Sequence, residues 1–301
     1  MINLIVFISL LGVRSFLGDF EELPVSARAL ALGNAQTSSA NDATAIYYNP
    51  AIPVTISTCR LYLSYGHFYQ SGIVKNSFIA YINPKNKNSL GVALFNNWIS
   101  DIKIANVPDP TLPPSNNNRP YLERTVTASD WILYLNYARR LIKSICIGVN
   151  LKFIYRYLGI GSGIGTGLDF GAIGAIGDYT ILGLKAQNFT TSPVFWSNST
   201  QDYIIPKVIW GISHTIPTSN YNVQITADCE YSIDQNLVKT NLGLEYQYKN
   251  IWFMRGGLMN LKPTFGLGFI YKYLYFDYGF SSQLTDAKLG NIHKLSGGVK
   301  F

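Results

Sequence analysis

Two stretches of the chain alternate apolar and polar residues almost without fault. From Tyr221 to Tyr231, the residues Tyr221, Val223, Ile225, Ala227, Cys229 and Tyr231 share one face of an extended chain, and Asn222, Gln224, Thr226, Asp228 and Glu230 share the other. Side chains in a strand point alternately to opposite faces, so a period of two means a strand that separates two environments. A second run follows, with Val238, Leu242, Leu244, Tyr246 and Tyr248 set against Lys239, Asn241, Glu245 and Gln247. Half-buried strands of soluble domains are about five or six residues long, whereas these are about twice that, the length a tilted strand needs to cross a bilayer. Aromatics stand at the run ends, where the membrane interface favours them. The pattern predicts an all-β fold, a transmembrane antiparallel β-barrel.

Composition agrees with this reading. The 301 residues include 21 Tyr, 16 Phe and 26 Gly, and only 14% are charged. Beyond the first residues no apolar run is long enough for a spanning helix. The net charge of +7 is spread over scattered single residues, without the clustered basic stripe of a nucleic-acid surface, so no nucleic-acid partner is expected. Cys59, Cys146 and Cys229 are odd in number and lie within strands, which suits buried or lipid-facing thiols better than disulfides or a metal site. No cofactor or metal site is indicated.

Residues 1–15 contain the apolar stretch Leu4 to Val13 and read as a secretory signal peptide that ends near Ser15. At the other end, Leu295, Gly297, Val299 and Phe301 share one face of a final alternating run. Bacterial outer-membrane barrels resemble this, ending in an aromatic residue that the assembly machinery reads. Phe301 is the candidate for that signal.

Between the leader and the first strand, residues 16–57 do not alternate. They carry Ala27-Arg28-Ala29-Leu30-Ala31-Leu32-Gly33 and, after a spacer, Asn41-Asp42-Ala43-Thr44-Ala45-Ile46-Tyr47-Tyr48-Asn49-Pro50-Ala51. Small residues with Ser26 and Asn41 or Asp42 as caps predict short helical turns in a confined space. This stretch resembles the N-terminal signature of the PorV/PorQ group of outer-membrane proteins, within the FadL-like superfamily. The resemblance implies a barrel of about 14 strands spanning 58–301, with 16–57 forming a short plug at or inside its periplasmic end. Ala27, Arg28, Gly33, Asp42, Asn49, Pro50 and Ala51 carry the motif. Asn49 and Pro50 are expected to turn the chain into the first strand.

Fourteen alternating runs can be counted, and an even number leaves both chain ends on the periplasmic side. The connections after even runs are tight, as at Lys85 to Lys87, and those after odd runs include every long one. Trp98 to Ala128, rich in Pro and Asn, and Thr190 to Ile204, with Phe195 and Trp196, are expected as external loops. The glycine-rich segment Gly159 to Gly167 is expected as a loop feeding a strand. Inward positions collect charges of both signs, among them Lys152, Asp169, Lys185, Asp228, Glu245, Arg255 and Asp277. On the lipid face each would cost a few kcal/mol near the midplane, so a wet or internally paired lumen is predicted.

Enzyme signals are nearly absent: the three histidines, His67, His214 and His293, are far apart, and no HExxH, GxSxG or phosphate-loop motif occurs. His67 with Asp101 or Asp130 is the one grouping that invites a catalytic reading. The PorV/PorQ resemblance implies a non-catalytic barrel of the bacterial outer membrane, linked to type IX-like secretion or surface attachment. Its partners would be membrane lipid, the assembly machinery, and secreted clients or secretion components. The alternative is a FadL-like channel for hydrophobic molecules such as long-chain fatty acids, with Trp98, Phe195 and Trp196 as pocket candidates. A purely structural barrel is a third reading.

Overall fold

The computed structural model describes residues 19–69, 72–282 and 290–301; the expected leader at 1–15 lies outside them. Sixteen strand segments follow in order: β1 Arg60–Phe68, β2 Val74–Lys85, β3 Asn88–Asn106, β4 Tyr121–Ile142, β5 Ile145–Tyr157, β6 Ser162–Ile176, β7 Thr180–Gln187 and β8 Ser192–Trp196. Then come β9 Gln201–Ile204, β10 Lys207–Pro217, β11 Tyr221–Ser232, β12 Leu237–Tyr248, β13 Trp252–Met259, β14 Lys262–Tyr271, β15 Leu274–Ser281 and β16 Ile292–Lys300. β7 and β8 lie end to end along β6, and β9 and β10 run back beside them, so each pair forms one wall strand. β16 pairs with β1 from Arg60↔Lys300 to His67↔His293 and closes a fourteen-stranded antiparallel barrel.

The period of two becomes inside and outside. In β5, Ile145, Val149, Leu151 and Phe153 are exposed on the outer wall, while Asn150 and Lys152 are wholly buried inside. The same alternation gives an outer surface of Leu, Ile, Tyr, Phe and Trp around the barrel. No helix among the described residues is long and apolar enough to cross a membrane; the strands cross it.

The start of β1, the end of β16 and the tight turns lie on one side, as in bacterial barrels with short periplasmic turns. Several of these turns use left-handed backbone, at Asn86, Lys249, Asn250 and Lys272. They are basic: Lys85 and Lys87, Arg139 to Lys143, Lys249 and Lys272 stand against Asp178.

The outer side departs from expectation in three places. Trp98 to Ala128 is mostly ribbon rather than loop, because β3 and β4 stay paired to Asn106↔Tyr121 across bulges near Asp101 and Ala105. The connection is only residues 107–120. Ladder hydrogen bonds hold the ribbon together, and most of its side chains are exposed on both faces. Thr190 to Ile204 contains the β8–β9 hairpin, which extends the wall beside β6. The glycine-rich segment is not a loop beyond Ser162. Gly163 and Gly165 pair with Trp196 and Val194, where side chains on the glycines would collide with that hairpin.

Residues 19–56 fill the lumen as a hatch of short turns: a 3-10 turn Asp19–Glu22, α1 Ala27–Ala31, α2 Ala45–Tyr48 and a 3-10 turn Ile52–Thr55. Ser26 caps α1 by accepting from the Ala29 amide at 2.9 Å. Asn49 and Pro50 do not lead directly into a strand. The chain makes the Ile52–Thr55 turn first, and β1 begins only at Arg60.

Candidate functional site: the sealed lumen

The hatch is seated on glycines. Inward positions on facing strands are Gly148, Gly171, Gly183, Gly211, Gly243 and Gly257, and at each one a side chain would overlap hatch atoms such as the Pro50 carbonyl or the Leu32 backbone. Without those side chains the hatch backbone approaches the wall closely enough for direct hydrogen bonds. Asn136 donates to the Pro50 carbonyl at 3.1 Å, and Asn150 donates to Ile46 at 2.8 Å. Asp228 accepts from the Gln36 and Thr37 amides at 2.8 and 2.9 Å.

Three charge clusters then tie hatch to wall. Lys152 Nζ lies 2.7 Å from Glu21 and 3.0 Å from Asp169, and Asn188 donates to Glu21 at 2.7 Å. Glu22 pairs with Lys207 and, at 2.7 Å, with Lys239. Arg28 makes a two-pronged contact with Glu245 at 3.0 and 3.1 Å, Glu245 continues to Arg255 at 2.6 Å, and Arg255 reaches Asp277 at 2.5 Å. Burial alone would raise the Glu21 carboxyl, but the Lys152 ammonium and the Asn188 amide outweigh it and hold the group down at about 2. Glu22 is likewise opposed by burial and lowered by Lys207 and Lys239. Pairing of this kind is what makes buried charge tolerable.

Most of the predicted lumen charges are therefore buried in ion pairs rather than solvated; Lys185 instead donates to the Tyr47 carbonyl and Gln187, and Asp228 has only the hatch donors of Gln36 and Thr37. The polar gap beside Glu22, Lys185 and Lys207 has a volume of about 30 Å³, room for little more than water. Among the described residues the hatch lies across the axis, bonded to strands on several sides of the barrel.

The motif residues occupy defined places in this seal. Ala27 packs its carbonyl against Gly279 and donates to Ser296 at 3.3 Å. Gly33, with φ +64°, is wedged between the Leu242 and Leu258 carbonyls and donates to Thr264 at 3.1 Å. Asp42 folds back on the hatch, accepting from the Thr44 amide at 2.8 Å. Asn49 donates to Thr37 within the hatch and to Ala172 and Leu184 on the wall, at 2.8, 3.1 and 3.3 Å. The Ala51 amide donates to the Asn49 side chain at 3.1 Å. Phe301 is remote from all of these: its amide donates to Cys59 at 3.0 Å and its ring is 68% exposed at the closing seam.

Other expected groupings do not form. His67 faces outward beside Tyr65, Asp130 is held in the lumen by Arg156 at 2.6 Å, and Asp101 sits exposed at a bulge. Trp98 lies on the outer face under Lys75, Phe195 points outward, and Trp196 donates to Asp202 at 2.7 Å, so the three do not make one pocket. The sequence reading missed the glycine seat and the roles of Glu21, Glu22 and Asn188. The signal available for the seat was glycine recurring at inward positions of successive strands.

No protein-family model matches the chain, and no curated protein sequence matches it. Solved structures do. The toluene transporter TodX of Pseudomonas putida aligns over 92% of this chain and 98% of its own, with a TM-score of 0.59 and 11% identity. A FadL homologue of Pseudomonas aeruginosa aligns over 93% and 99%, with a TM-score of 0.59 and 10% identity. The fold is that of these bacterial outer-membrane barrels. With its aromatic and aliphatic outer wall, the chain is an outer-membrane β-barrel.

Proposed function

We propose that the barrel carries small hydrophobic molecules across the outer membrane, and that they leave through the wall rather than along the axis. The observation that carries this reading is a break in the wall beside the hatch. β7 pairs with β10 up to Gln187↔Lys207, and β8 resumes with β9 at Ser192↔Ile204. Four residues, 188–191, therefore face two, Ile205 and Pro206. Pro206 has no N–H to offer the ladder. Asn188 and Thr191 take left-handed backbone, and their turn closes on itself through the Thr191 amide to the Asn188 carbonyl at 2.8 Å. On its lumen side, Asn188 is part of the Glu21 cluster. With the hatch across the axis, an apolar solute is left the wall, and here the pairing of the two wall strands lapses, although the Phe189 amide still donates to the Leu168 carbonyl of β6 at 3.0 Å. The likeness of fold to a toluene transporter supports the same reading.

Deleting Thr190 and Thr191 brings the β7–β8 and β9–β10 pairing back to one residue per residue. In cells that rely on this barrel, uptake of labelled toluene or a long-chain fatty acid should then fall to the level of cells lacking it, with the heat-modifiable folded band retained. Undiminished uptake by a folded deletion variant would rule out the wall route.

A second reading, protein secretion of the PorV/PorQ kind, is supported by the motif in residues 27–51 and by the β3–β4 ribbon. That ribbon stands beyond the wall by about eight residues, roughly 25 Å at about 3.4 Å per residue, a shape suited to meeting a protein partner.

A further inference from the structure

The outer wall at the closing seam is not flat. A groove of about 860 Å³ runs over β1 and β13 to β16, walled by Leu61, Leu63, Leu267, Phe269, Phe276 and Leu295. Its floor is bare backbone at Gly297, an outward position between Leu295 and Val299. A Cβ there would come within 3.1 Å of the Tyr275 carbonyl and 3.2 Å of the Phe276 ring. From Leu61 to Tyr65 the groove runs about 14 Å along the strand, close to half of an apolar band about 25 Å tall. The cross-strand pairs Leu274↔Val299 and Phe276↔Gly297 put its lower end at the periplasmic rim, so it spans the inner leaflet.

The mouth of the groove is cationic. Lys249 and Lys272 occupy the two turns that lead into β13 and β15. Each ammonium lies over the ring of the preceding tyrosine, at 5.2 Å from Tyr248 and 5.3 Å from Tyr271. Cation–π contact holds both lysines at the height of the aromatic girdle, where lipid headgroups lie. Arg60 and Lys300, which face each other across the seam, alternate with the groove-lining Leu61 and Val299 and so belong to the lumen face, which leaves the two lysines as the cations at the mouth. Among the described residues neither lysine has a carboxylate partner. Trp252, its ring tilted against Phe269 with centroids 4.5 Å apart, lines the lower end.

We propose that this groove is a binding site for one anionic glycerophospholipid of the inner leaflet, with an acyl chain over Gly297 and the phosphate among the lysines. The wall faces lipid, which selects a lipid over a soluble ligand, and the unpaired positive mouth selects an anionic headgroup over a zwitterionic one. The site is independent of the transport reading, because it lies on the outer face of β1 and β13 to β16, and the break at 188–191 is on other strands.

Native mass spectrometry of the full-length barrel released from mild detergent tests this with phosphatidylglycerol and phosphatidylethanolamine of matched chains. The wild-type protein should retain one phosphatidylglycerol at least fivefold more than phosphatidylethanolamine. Lys249→Asn with Lys272→Asn should bring the two lipids level, and asparagine suits the left-handed backbone at both turns. Gly297→Leu should reduce retention of both lipids. Should that variant fail to fold, acyl-brominated phosphatidylglycerol should quench fluorescence of the unaltered wall more than its phosphatidylethanolamine counterpart, and Trp252→Phe should remove the difference. Equal retention of the two lipids by wild type, or wild-type retention by the double lysine variant, overturns the proposal.

Discussion

Glu21 is the residue on which hatch and wall most depend, since it joins Lys152 of β5 to Asn188 at the wall break from a turn of the hatch. Its carboxyl is held down to about 2, below an ordinary value of 4.5, so the charged form is the one that folding favours. A group whose folded pKa is lowered contributes stability that is present above the unfolded value and lost as pH falls toward the folded one. In urea unfolding of the barrel in vesicles, followed by tryptophan fluorescence, stability should therefore fall as pH drops from about 4.5 toward 2. Glu21→Gln should destabilise at neutral pH by about 3 kcal/mol, the low end for breaking a buried pair, because Asp169 still holds Lys152. It should also flatten that acid slope. An acid slope as steep in the variant as in wild type would assign it to other carboxylates. The same packing changes what the lumen tolerates: Asn150 is fully buried and bonded to Ile46, so an arginine there has no wet channel to enter.

At the scale of elements, the ribbon β3–β4 is the part that can be removed without touching the barrel. Its tip, residues 107–120, is held by its own contacts, with Asn118 donating to the Asp109 and Leu112 carbonyls at 2.9 and 3.0 Å. Excising Asp109 to Arg119 should leave the heat-modifiable band unchanged, since shortening a loop changes closure entropy little. If the ribbon recognises secreted clients, display or release of those clients should fall while hydrophobic uptake stays at the wild-type level. Lost uptake with normal secretion would instead attach the ribbon to transport. The two halves of this hairpin also mark what sequence can disclose. Residues 88–97 and 129–140 separate lipid from lumen, so their period of two is visible; beyond Ile99 both faces meet water, and ladder bonds hold a strand that no apolar pattern announces. The hatch was legible as a confined segment because Ala27 to Gly33 and Ala43 to Ala51 are small or capped. Its partners were not, because the contacts that place Arg28 on Glu245 and Asn49 on Ala172 join residues more than a hundred positions apart. Glycine at an inward position reads as a gap in a polar face until the backbone it admits is known.

For the whole molecule, closure depends on the last strand finding the first, and Phe301 separates two ways in which that could matter. Its amide donates to Cys59 and its neighbour Lys300 pairs with Arg60, but its ring lies exposed at the periplasmic edge and buries little against the protein. The finished barrel therefore loses little without the ring, since stabilisation by apolar burial scales with area removed from solvent. A residue that adds little to the folded state but directly follows the closing strand suits the proposed role of a signal read before closure. Deleting Phe301 should leave refolding of the purified chain into detergent or lipid vesicles at wild-type yield. In cells the same deletion should lower the folded, heat-modifiable fraction in the outer membrane, with synthesis unchanged. Equal loss in both settings would make Phe301 a structural part of the seam, and no loss in either would make the terminal aromatic incidental to assembly.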